Sequence, residues 1–439
     1  MIDPAALAQS LQHYLPNQRW FGAKDRKVRE VVIEELEVLE KDWPVLLSVE
    51  CEVVIEDNTS ERYHVLVGLR PPGQPATFLE GKPDAVMGEF DLELGHAYGY
   101  DALRDPELSL RLLDIAVPQN PPPSRVRPVG AEQTNTSLIF DDKVILKVFR
   151  KLSEGPNLDL EVTRALSSVG FPHIAELKGE WTRKGTDLGI LQRFLAGGAE
   201  GWALAITSLR DFFGTGGDPA QAGGDFGAEA ERLGEMTASL HSYLSSAFGT
   251  TGGDADAWAD VMHAQLQRIH HPDLPSEKIG KVFDELRTVE DPGPSLRVHG
   301  DYHLGQVMRT DMGWFVLDFE GEPARPIEER RWPSSPLKDV AGMLRSFQYA
   351  SRSALMVQEI SDSELAKSWE QRNRQAFLDG YVAVAYRNGI LPSDTGSMDL
   401  VLRAYELDKA VYEVGYEMAH RPDWVDIPLD AVTELLGGN

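Results

Sequence analysis

The sequence predicts an α+β protein in which a strand-rich N-terminal part precedes a mainly helical C-terminal part. Runs that alternate apolar and polar side chains lie within the first 200 residues, and apolar residues at helical spacing dominate after residue 201. A proline-rich stretch at 118–124 is typical of an extended connector and marks the entry to a new unit. We therefore expect three parts, at residues 1–90, 91–200 and 201–439.

Composition limits the binding partners, cross-links and cellular location that can be expected of this protein. The 439 residues contain 43 Lys and Arg against 70 Asp and Glu, a formal net charge of −27. So acidic a surface disfavours a nucleic acid or an anionic membrane as partner. The single cysteine, Cys51, excludes an intrachain disulfide and a multi-cysteine metal site. Neither a signal-peptide pattern nor a membrane-length apolar run is visible, so we expect a cytoplasmic protein.

The sequence of the first part, residues 1–90, predicts a packed module without catalytic features. A short amphipathic helix is expected at 5–14, and partly alternating segments at 28–40, 45–55 and 63–69 predict an antiparallel sheet. A helix follows at 105–116, with Pro106 near its start.

A lysine within an apolar strand is the first candidate for chemistry. Segments 132–140 and 144–149 predict a hairpin that turns at 141–142, with Ile145, Lys147 and Phe149 on one face. Lysine is costly there unless its ammonium has anionic partners, which phosphate oxygens and Glu161 of a predicted helix at 157–166 would supply. The alternative is that Lys147 reaches solvent from an edge strand.

Other nucleotide contacts are predicted from position. The hairpin lacks several glycines, so hydroxyls and amides at 134–137, including Ser137, are candidates to contact phosphates. A strand at 189–195 leads to a glycine pair, which places Gln192 and Phe194 where backbone groups would bond adenine.

The central stretch lies within the helical part, whose helices are predicted at 204–213, 229–244, 255–270, 277–289, 336–345, 363–388 and 398–420. A strand at 296–299 leads to a tight turn carrying Asp301, Gln306 follows five residues later, and a strand at 314–317 delivers Asp318. Phosphoryl transfer from a nucleotide needs one Asp to accept a hydroxyl proton, and an amide and a second Asp to hold magnesium. Metal-bound carboxylates also serve hydrolysis, so the set alone leaves both open.

Two residues near this stretch are further candidates for the site. His303 either contacts the acceptor or holds the loop, and Arg325 is a further candidate to stabilise transferred charge.

The last long helix carries charged and aromatic groups at helical spacing, namely Lys409, Tyr412, Glu413 and Tyr416. Such a stripe suits a sugar, whose hydroxyls bond charged groups and whose ring faces pack on aromatics. An ordinary solvated helix face is the alternative.

The order of these features resembles that of the bilobal protein-kinase-like enzymes of the aminoglycoside-phosphotransferase-like group. The resemblance implies that Lys147 binds phosphate and pairs with Glu161, that Asp301 is catalytic, and that Gln306 and Asp318 hold Mg²⁺. Two departures are visible. Gln306 stands where Asn is usual, and Glu320 stands where Gly follows Asp-Phe.

Longer motifs resemble the actinobacterial maltokinase family. They are the segments 299–306, 318–326, 335–345, 406–413 and 421–424, together with 18–21 near the start. The resemblance implies an N-terminal β-sheet cap subdomain and ATP- and Mg²⁺-dependent phosphorylation of maltose. The product would be maltose 1-phosphate, which feeds α-glucan (glycogen) synthesis, and an enzyme converting trehalose to maltose is the implied partner.

Alternatives are a kinase of another sugar, such as glucosamine with a 6-phosphate product, and a catalytically silent kinase-like binding protein. The second predicts a missing lysine or aspartate, yet Lys147, Asp301 and Asp318 are all present.

Overall fold

The computed structural model describes residues 2–24, 26–74, 76–93, 95–130, 134–323, 325–358 and 363–437. The chain divides into two compact units. The N-terminal unit comprises Met1–Glu161 and Ala175–Ala196, and the C-terminal unit comprises Val162–Ile174 and Gly197–Asn439. The three-part division stays a prediction, and its first boundary falls within the strand Val86–Leu92.

The N-terminal unit is built on two antiparallel sheets. Its helices are α1 (Pro4–Tyr14), α2 (Pro106–Ala116) and the first turn of α3 (Leu158–Ser168). Its strands are β1 (Val28–Glu40), β2 (Val45–Ile55), β3 (Ser60–Arg70), β4 (Val86–Leu92), β5 (Gly95–Asp101), β6 (Val126–Pro128), β7 (Asn135–Phe140), β8 (Val144–Phe149), β9 (Lys151–Leu152), β10 (Leu177–Arg183) and β11 (Thr186–Arg193).

One sheet has the order β1-β2-β3-β5-β4, with β9 paired to β3, and the other has the order β10-β11-β8-β7-β6.

The hairpin that carries Lys147 forms as the alternation predicts, although residues 132 and 133 lie outside the described residues. Asp141 and Asp142 turn the chain with φ of +48° and +54°, a conformation that short polar residues tolerate. Leu146 and Val148 face the core that α2 covers. Phe149, on the face of Lys147, packs against the first turn of α3.

A buried arginine joins the strand of Lys147 to the first sheet. Arg150 is fully buried directly after β8, and its Nη2 lies 2.6 Å from Asp101 Oδ2. The Tyr14 hydroxyl donates to the same carboxylate at 3.2 Å, and the guanidinium lies 4.8 Å from the centroid of the Trp20 ring. The next residues form β9, so the chain enters the first sheet immediately.

The C-terminal unit is mainly helical. Its helices after α3 are α4 (Gly201–Thr215), α5 (Gly227–Phe248), α6 (Ala255–Arg268), α7 (Ser276–Leu286), α8 (Ile327–Arg330), α9 (Leu337–Gln358), α10 (Ser363–Ala385), α11 (Thr395–His420) and α12 (Asp426–Leu435). Its strands are β12 (Ala199–Glu200), β13 (Thr250–Gly252), β14 (Pro294–Leu296), β15 (Val307–Thr310) and β16 (Gly313–Val316).

Strands β12, β15 and β16 form one small sheet, and β13 pairs with β14. Among the described residues, no helix has both the length and the apolar character needed to cross a membrane.

Two glycines let α5 and α10 approach closely. A Cβ atom added at Gly234 would collide with the carbonyl oxygen of Phe377, and one added at Gly380 would collide with that of Glu231. The two helices therefore meet backbone to backbone.

We expect Gly234→Ala to destabilise the protein by about 1–3 kcal/mol, because overpacking at this contact outweighs the gain in helix propensity. The measurement is the shift in thermal unfolding midpoint. Gly214→Ala is the matched control, since no atom lies within 4 Å of a Cβ at this helical position, and it should cost nothing. Equal effects of the two substitutions would contradict the close approach.

Candidate active site

The N-terminal unit places the strand lysine against an acidic helix turn. Lys147 Nζ lies 2.8 Å from Asp159 Oδ2, and the two side chains are 14% and 5% exposed. Asp159 was not among the predicted partners, although it lies in the first turn of α3 together with Glu161. The pairing of Lys147 with Glu161 stays a prediction. The short, well-buried ion pair shows that Lys147 is held in place rather than extended into solvent.

The other predicted nucleotide residues lie on the same sheet. Ser137 is buried on β7, directly opposite Lys147 of β8. Gln192 pairs with the neighbouring Ile145. The amide of Phe194 donates to the carbonyl of Lys143 at 2.8 Å, so this amide already has an acceptor. Their contact with a nucleotide stays a prediction.

In the C-terminal unit, a buried carboxylate holds the loop that carries Asp301. Asp339 of α9 is 1% exposed. It accepts hydrogen bonds from the backbone amides of His299 at 2.7 Å and Gly300 at 2.9 Å. His241 Nε2 lies 3.1 Å from the same side chain. Burial raises the pKa of Asp339, but the His241 contact and the loop amide outweigh it and lower the pKa overall.

These bonds correct the predicted strand at 296–299. Strand β14 ends at Leu296, because the amides of His299 and Gly300 bond to a side chain rather than to a neighbouring strand.

One side-chain and one backbone hydrogen bond tie the Asp301 loop to the segment that delivers Asp318. His299 Nε2 lies 2.9 Å from the carbonyl oxygen of Leu317, and the Leu317 amide donates to the Gln306 carbonyl at 2.9 Å. Asp318 follows with φ of +58°, in the left-handed region that non-glycine residues rarely occupy. The three predicted residues are thus joined in one connected segment.

Asp301 is paired with a lysine from α11. Lys409 Nζ lies 3.2 Å from Asp301 Oδ1, and the Asp301 side chain remains 22% exposed. His303 Nε2 lies 3.9 Å from Oδ2 of the same aspartate, and its Nδ1 accepts the Gly305 amide at 3.0 Å. His303 therefore does hold the loop, and its contact with an acceptor stays a prediction. Burial within the site lowers the pKa of His303 and favours its neutral form.

Glu322 organises the charges behind Asp301. It is 3% exposed and accepts hydrogen bonds from Lys409 Nζ at 2.6 Å and Arg325 Nε at 2.5 Å. Burial raises the pKa of Glu322, but Lys409 and the other nearby cations hold it far below its usual value. Burial opposes the charge of Lys409 as well, yet Glu322 and Asp301 outweigh it and raise that pKa. Lys409 is therefore a permanent cation beside Asp301.

An aromatic row continues from Lys409 along α11. The Tyr412 ring lies 4.8 Å from Lys409 Nζ. Tyr412 and Tyr416 are stacked with centroids 6.4 Å apart, and Tyr416 and His420 with centroids 4.4 Å apart. Glu413 lies outside this row, because Arg345 of α9 binds its carboxylate at 2.6 Å. The structure thus brings Lys409, Tyr412 and Tyr416 together and directs Glu413 elsewhere.

The oxygen donors expected for a magnesium ion are present. Asp318 and Glu320 each place a carboxylate oxygen within 4.8 Å of the other, and Gln306 offers an amide oxygen. Mg²⁺ prefers such hard oxygen ligands, so the donor set fits the ion that the site implies.

The fold is that of an aminoglycoside-phosphotransferase-like kinase with an N-terminal β-sheet cap. Residues 14–105 match the maltokinase N-terminal cap domain, and residues 209–325 match the phosphotransferase enzyme family. The chain therefore contains one segment similar to a maltokinase cap domain and one similar to a phosphotransferase domain.

Two curated relatives are glucosamine kinases. The one from Streptacidiphilus jiangxiensis is 28% identical over 333 residues, which cover 71% of this chain and 73% of that protein. The one from Mycolicibacterium smegmatis is 27% identical over 337 residues, which cover 71% and 79%.

A solved glucosamine kinase in complex with glucosamine, ADP and inorganic phosphate shares the fold, with a TM-score of 0.67. It is 21% identical, and the match covers 92% of this chain and 94% of that one.

Proposed function

We propose that this protein is an ATP-dependent sugar kinase that phosphorylates maltose at its anomeric hydroxyl and gives α-maltose 1-phosphate. The observation that carries the choice of acceptor is the row Tyr412, Tyr416 and His420, which begins at the Lys409–Asp301 pair. One helical step of four residues advances about 6 Å, so the row extends over the length of a second sugar ring. A disaccharide bound at Asp301 would also contact the exposed edges of these stacked rings, whereas a monosaccharide would contact only the start of the row. The maltokinase-type cap supports the same acceptor.

Each residue has a proposed role in the transfer. Asp301 orients the anomeric hydroxyl and accepts its proton as the oxygen bonds to the γ-phosphorus and ADP departs. Lys409, fixed by Glu322, holds the Asp301 carboxylate in place. Lys147, held by Asp159 and with Glu161 as its further proposed ion-pair partner, binds phosphate oxygens, and Ser137, Gln192 and Phe194 complete the nucleotide contacts.

Gln306, Asp318 and the nearby Glu320 would hold Mg²⁺, which neutralises phosphate charge when bound. Most of the rate enhancement then comes from positioning and electrostatics.

Glucosamine is the second candidate acceptor, because the two relatives described above are glucosamine kinases. Its ammonium would find carboxylates at Asp301 and Glu322, but would compete there with Lys409. The product in that case is a 6-phosphate. By family resemblance, we further propose that an enzyme converting trehalose to maltose supplies the acceptor and that the product enters glycogen synthesis.

The deciding experiment is an ATP-consumption assay with magnesium against maltose, glucosamine, glucose, trehalose and an aminoglycoside. We expect the highest kcat/KM for maltose, with the phosphate on the anomeric carbon. Highest activity on glucosamine would identify glucosamine rather than maltose as the acceptor and would leave the proposed phosphoryl transfer from ATP unchanged. Absence of turnover on every sugar would favour the silent binding protein.

Alanine substitutions in the aromatic row test the second sugar ring. We expect Tyr416→Ala and His420→Ala each to raise KM for maltose about two- to tenfold, since an aromatic contact contributes about 0.5–1.5 kcal/mol. The kcat and the KM for glucose should stay close to native.

Tyr386→Ala is the matched control, because this tyrosine is 66% exposed and outside the row. An equal rise of KM for glucose and maltose would contradict a role for the row in binding a second ring.

A further inference from the structure

A polar cavity of about 340 Å³ lies among α9, α10, α11 and α12 of the C-terminal unit. Its volume falls within the range of small-molecule sites. Three cations and three carboxylates line it, namely Arg345, Lys367, Arg374, Glu370, Glu406 and Glu434. None of the residues assigned above to phosphoryl transfer, nor any member of the aromatic row, lines this cavity.

One wall of the cavity is a buried carboxylate that forms no ion pair with a described residue. Glu370 is 6% exposed, and its one hydrogen bond to a described residue comes from Ser351 Oγ at 3.2 Å. Within the described part of the chain, no Lys or Arg nitrogen lies within 4 Å of it. Burial accordingly raises the pKa of Glu370. By contrast, the neighbouring Glu406 is bonded to Arg374 at 2.7 Å. A buried carboxylate of this kind is costly unless a positive group pairs with it.

Cationic groups with spare donors line the same cavity. The closest carboxylate oxygen to Lys367 Nζ belongs to Glu434 at 3.7 Å, and the Lys367 side chain is 42% exposed. Glu434 also accepts a hydrogen bond from Gln348 at 2.9 Å and forms an ion pair with Arg352 at 3.2 Å. Arg374 donates one nitrogen to Glu406, and its other donors bond to no described residue. An anionic group in the cavity would meet donors that the protein has not already used.

We propose that this cavity binds a small zwitterion of the free α-amino acid class. The ammonium group pairs with Glu370, and the carboxylate receives hydrogen bonds from Lys367 and Arg374. The balanced charge of the lining disfavours a dianion such as a sugar phosphate. None of the ten described residues that line the cavity is aromatic, which disfavours a sugar ring that needs a flat apolar face.

The cavity shares a residue with the α11 stripe. Arg345 lines it and also binds Glu413, four residues after Lys409 on α11. A ligand carboxylate held by Lys367 and Arg374 would also attract the Arg345 guanidinium and so compete with Glu413 for it. Occupancy of the cavity is therefore expected to alter acceptor binding, a consequence that rests on the proposed function, whereas the binding itself does not.

The test is isothermal titration of the full chain with L-glutamine, without sugar or nucleotide. Succinate has carboxylates but no amine, and 1,4-diaminobutane has amines but no carboxylate, so they are the matched control ligands. We expect glutamine to bind with Kd of about 1 mM or tighter, and both controls to bind at least about tenfold more weakly.

Two variants assign the binding to the cavity. Glu370→Gln keeps the shape and the Ser351 contact but removes the charge, and should weaken glutamine binding at least about tenfold, as expected for loss of a charge-assisted hydrogen bond. Lys367→Met changes a half-exposed side chain, so this variant should fold. It should weaken glutamine binding several-fold, and it tests the proposal even if Glu370→Gln does not fold.

Native affinity in both variants, or stronger binding of succinate or diaminobutane, would overturn the proposal. So would the absence of heat from glycine, L-glutamine, L-glutamate and L-arginine up to about 10 mM. Saturating glutamine should also change KM for the acceptor sugar in the native protein and leave it unchanged in Glu370→Gln. An unchanged KM with intact binding would overturn the coupling through Arg345.

Discussion

Replacing Asp301 with asparagine is expected to lower kcat by at least about 10²-fold while ATP affinity stays close to native. Asparagine keeps the size of the side chain and an oxygen toward Lys409, but it cannot accept the proton of the acceptor hydroxyl. Lys409 stays paired with Glu322, so the buried charges remain compensated and the fold should survive. The measurement combines initial rates of sugar phosphorylation with a calorimetric titration of ATP.

Asp379→Asn is the control for the Asp301 variant, because Asp379 is exposed on α10 and bonds Gln375 within its own helix. Its kinetics should equal those of the native protein. Near-native turnover of Asp301→Asn would remove Asp301 from the role of base, and loss of ATP binding would indicate a wider structural defect.

Asp339→Asn is expected to lower both stability and turnover. The amide can accept one of the two loop hydrogen bonds, but its NH2 group then faces either the Gly300 amide or both the His299 amide and His241. Loss of a hydrogen bond to a buried charged group costs about 1.5–3 kcal/mol. Because Asp339 positions the loop, we also expect kcat to fall at least about tenfold.

The distinguishing measurement is the pair of thermal unfolding midpoint and kcat. Asp301→Asn should change mainly kcat, Asp339→Asn should change both, and Asp379→Asn should change neither. A destabilised Asp339→Asn protein with native kcat would show that other contacts hold the loop.

The hairpin of Lys147 could be predicted from the sequence because a two-residue alternation fixes the faces of a strand. The contact of Lys147 with Asp159 could not. Asp159 and Glu161 lie in the same helical turn, and the direction in which each carboxylate points depends on the rotation of α3 about its axis. A sequence pattern does not contain that angle.

The hydrogen bonds to Asp339 that hold the Asp301 loop also cannot be predicted from the sequence pattern. The chemistry of Asp301, Gln306 and Asp318 is local, since residue types and short spacings indicate it. Asp339 lies in a later helix, and its pairing with the loop amides depends on tertiary packing. The same packing makes the predicted strand at 296–299 wrong beyond Leu296. Helical spacing groups Glu413 with Lys409, Tyr412 and Tyr416, and only the structure reveals that Arg345 binds its carboxylate.

The Arg150 cluster has a consequence for how such enzymes arise by recombination. Tyr14, Trp20 and Asp101 all lie within the matched cap, residues 14–105, whereas Arg150 lies outside it. A gene fusion that ended at the cap boundary would separate Arg150 from Asp101. Either the guanidinium or the carboxylate would then be buried without its partner. Transplantation of the cap to another kinase would therefore require an arginine after the lysine strand of the recipient.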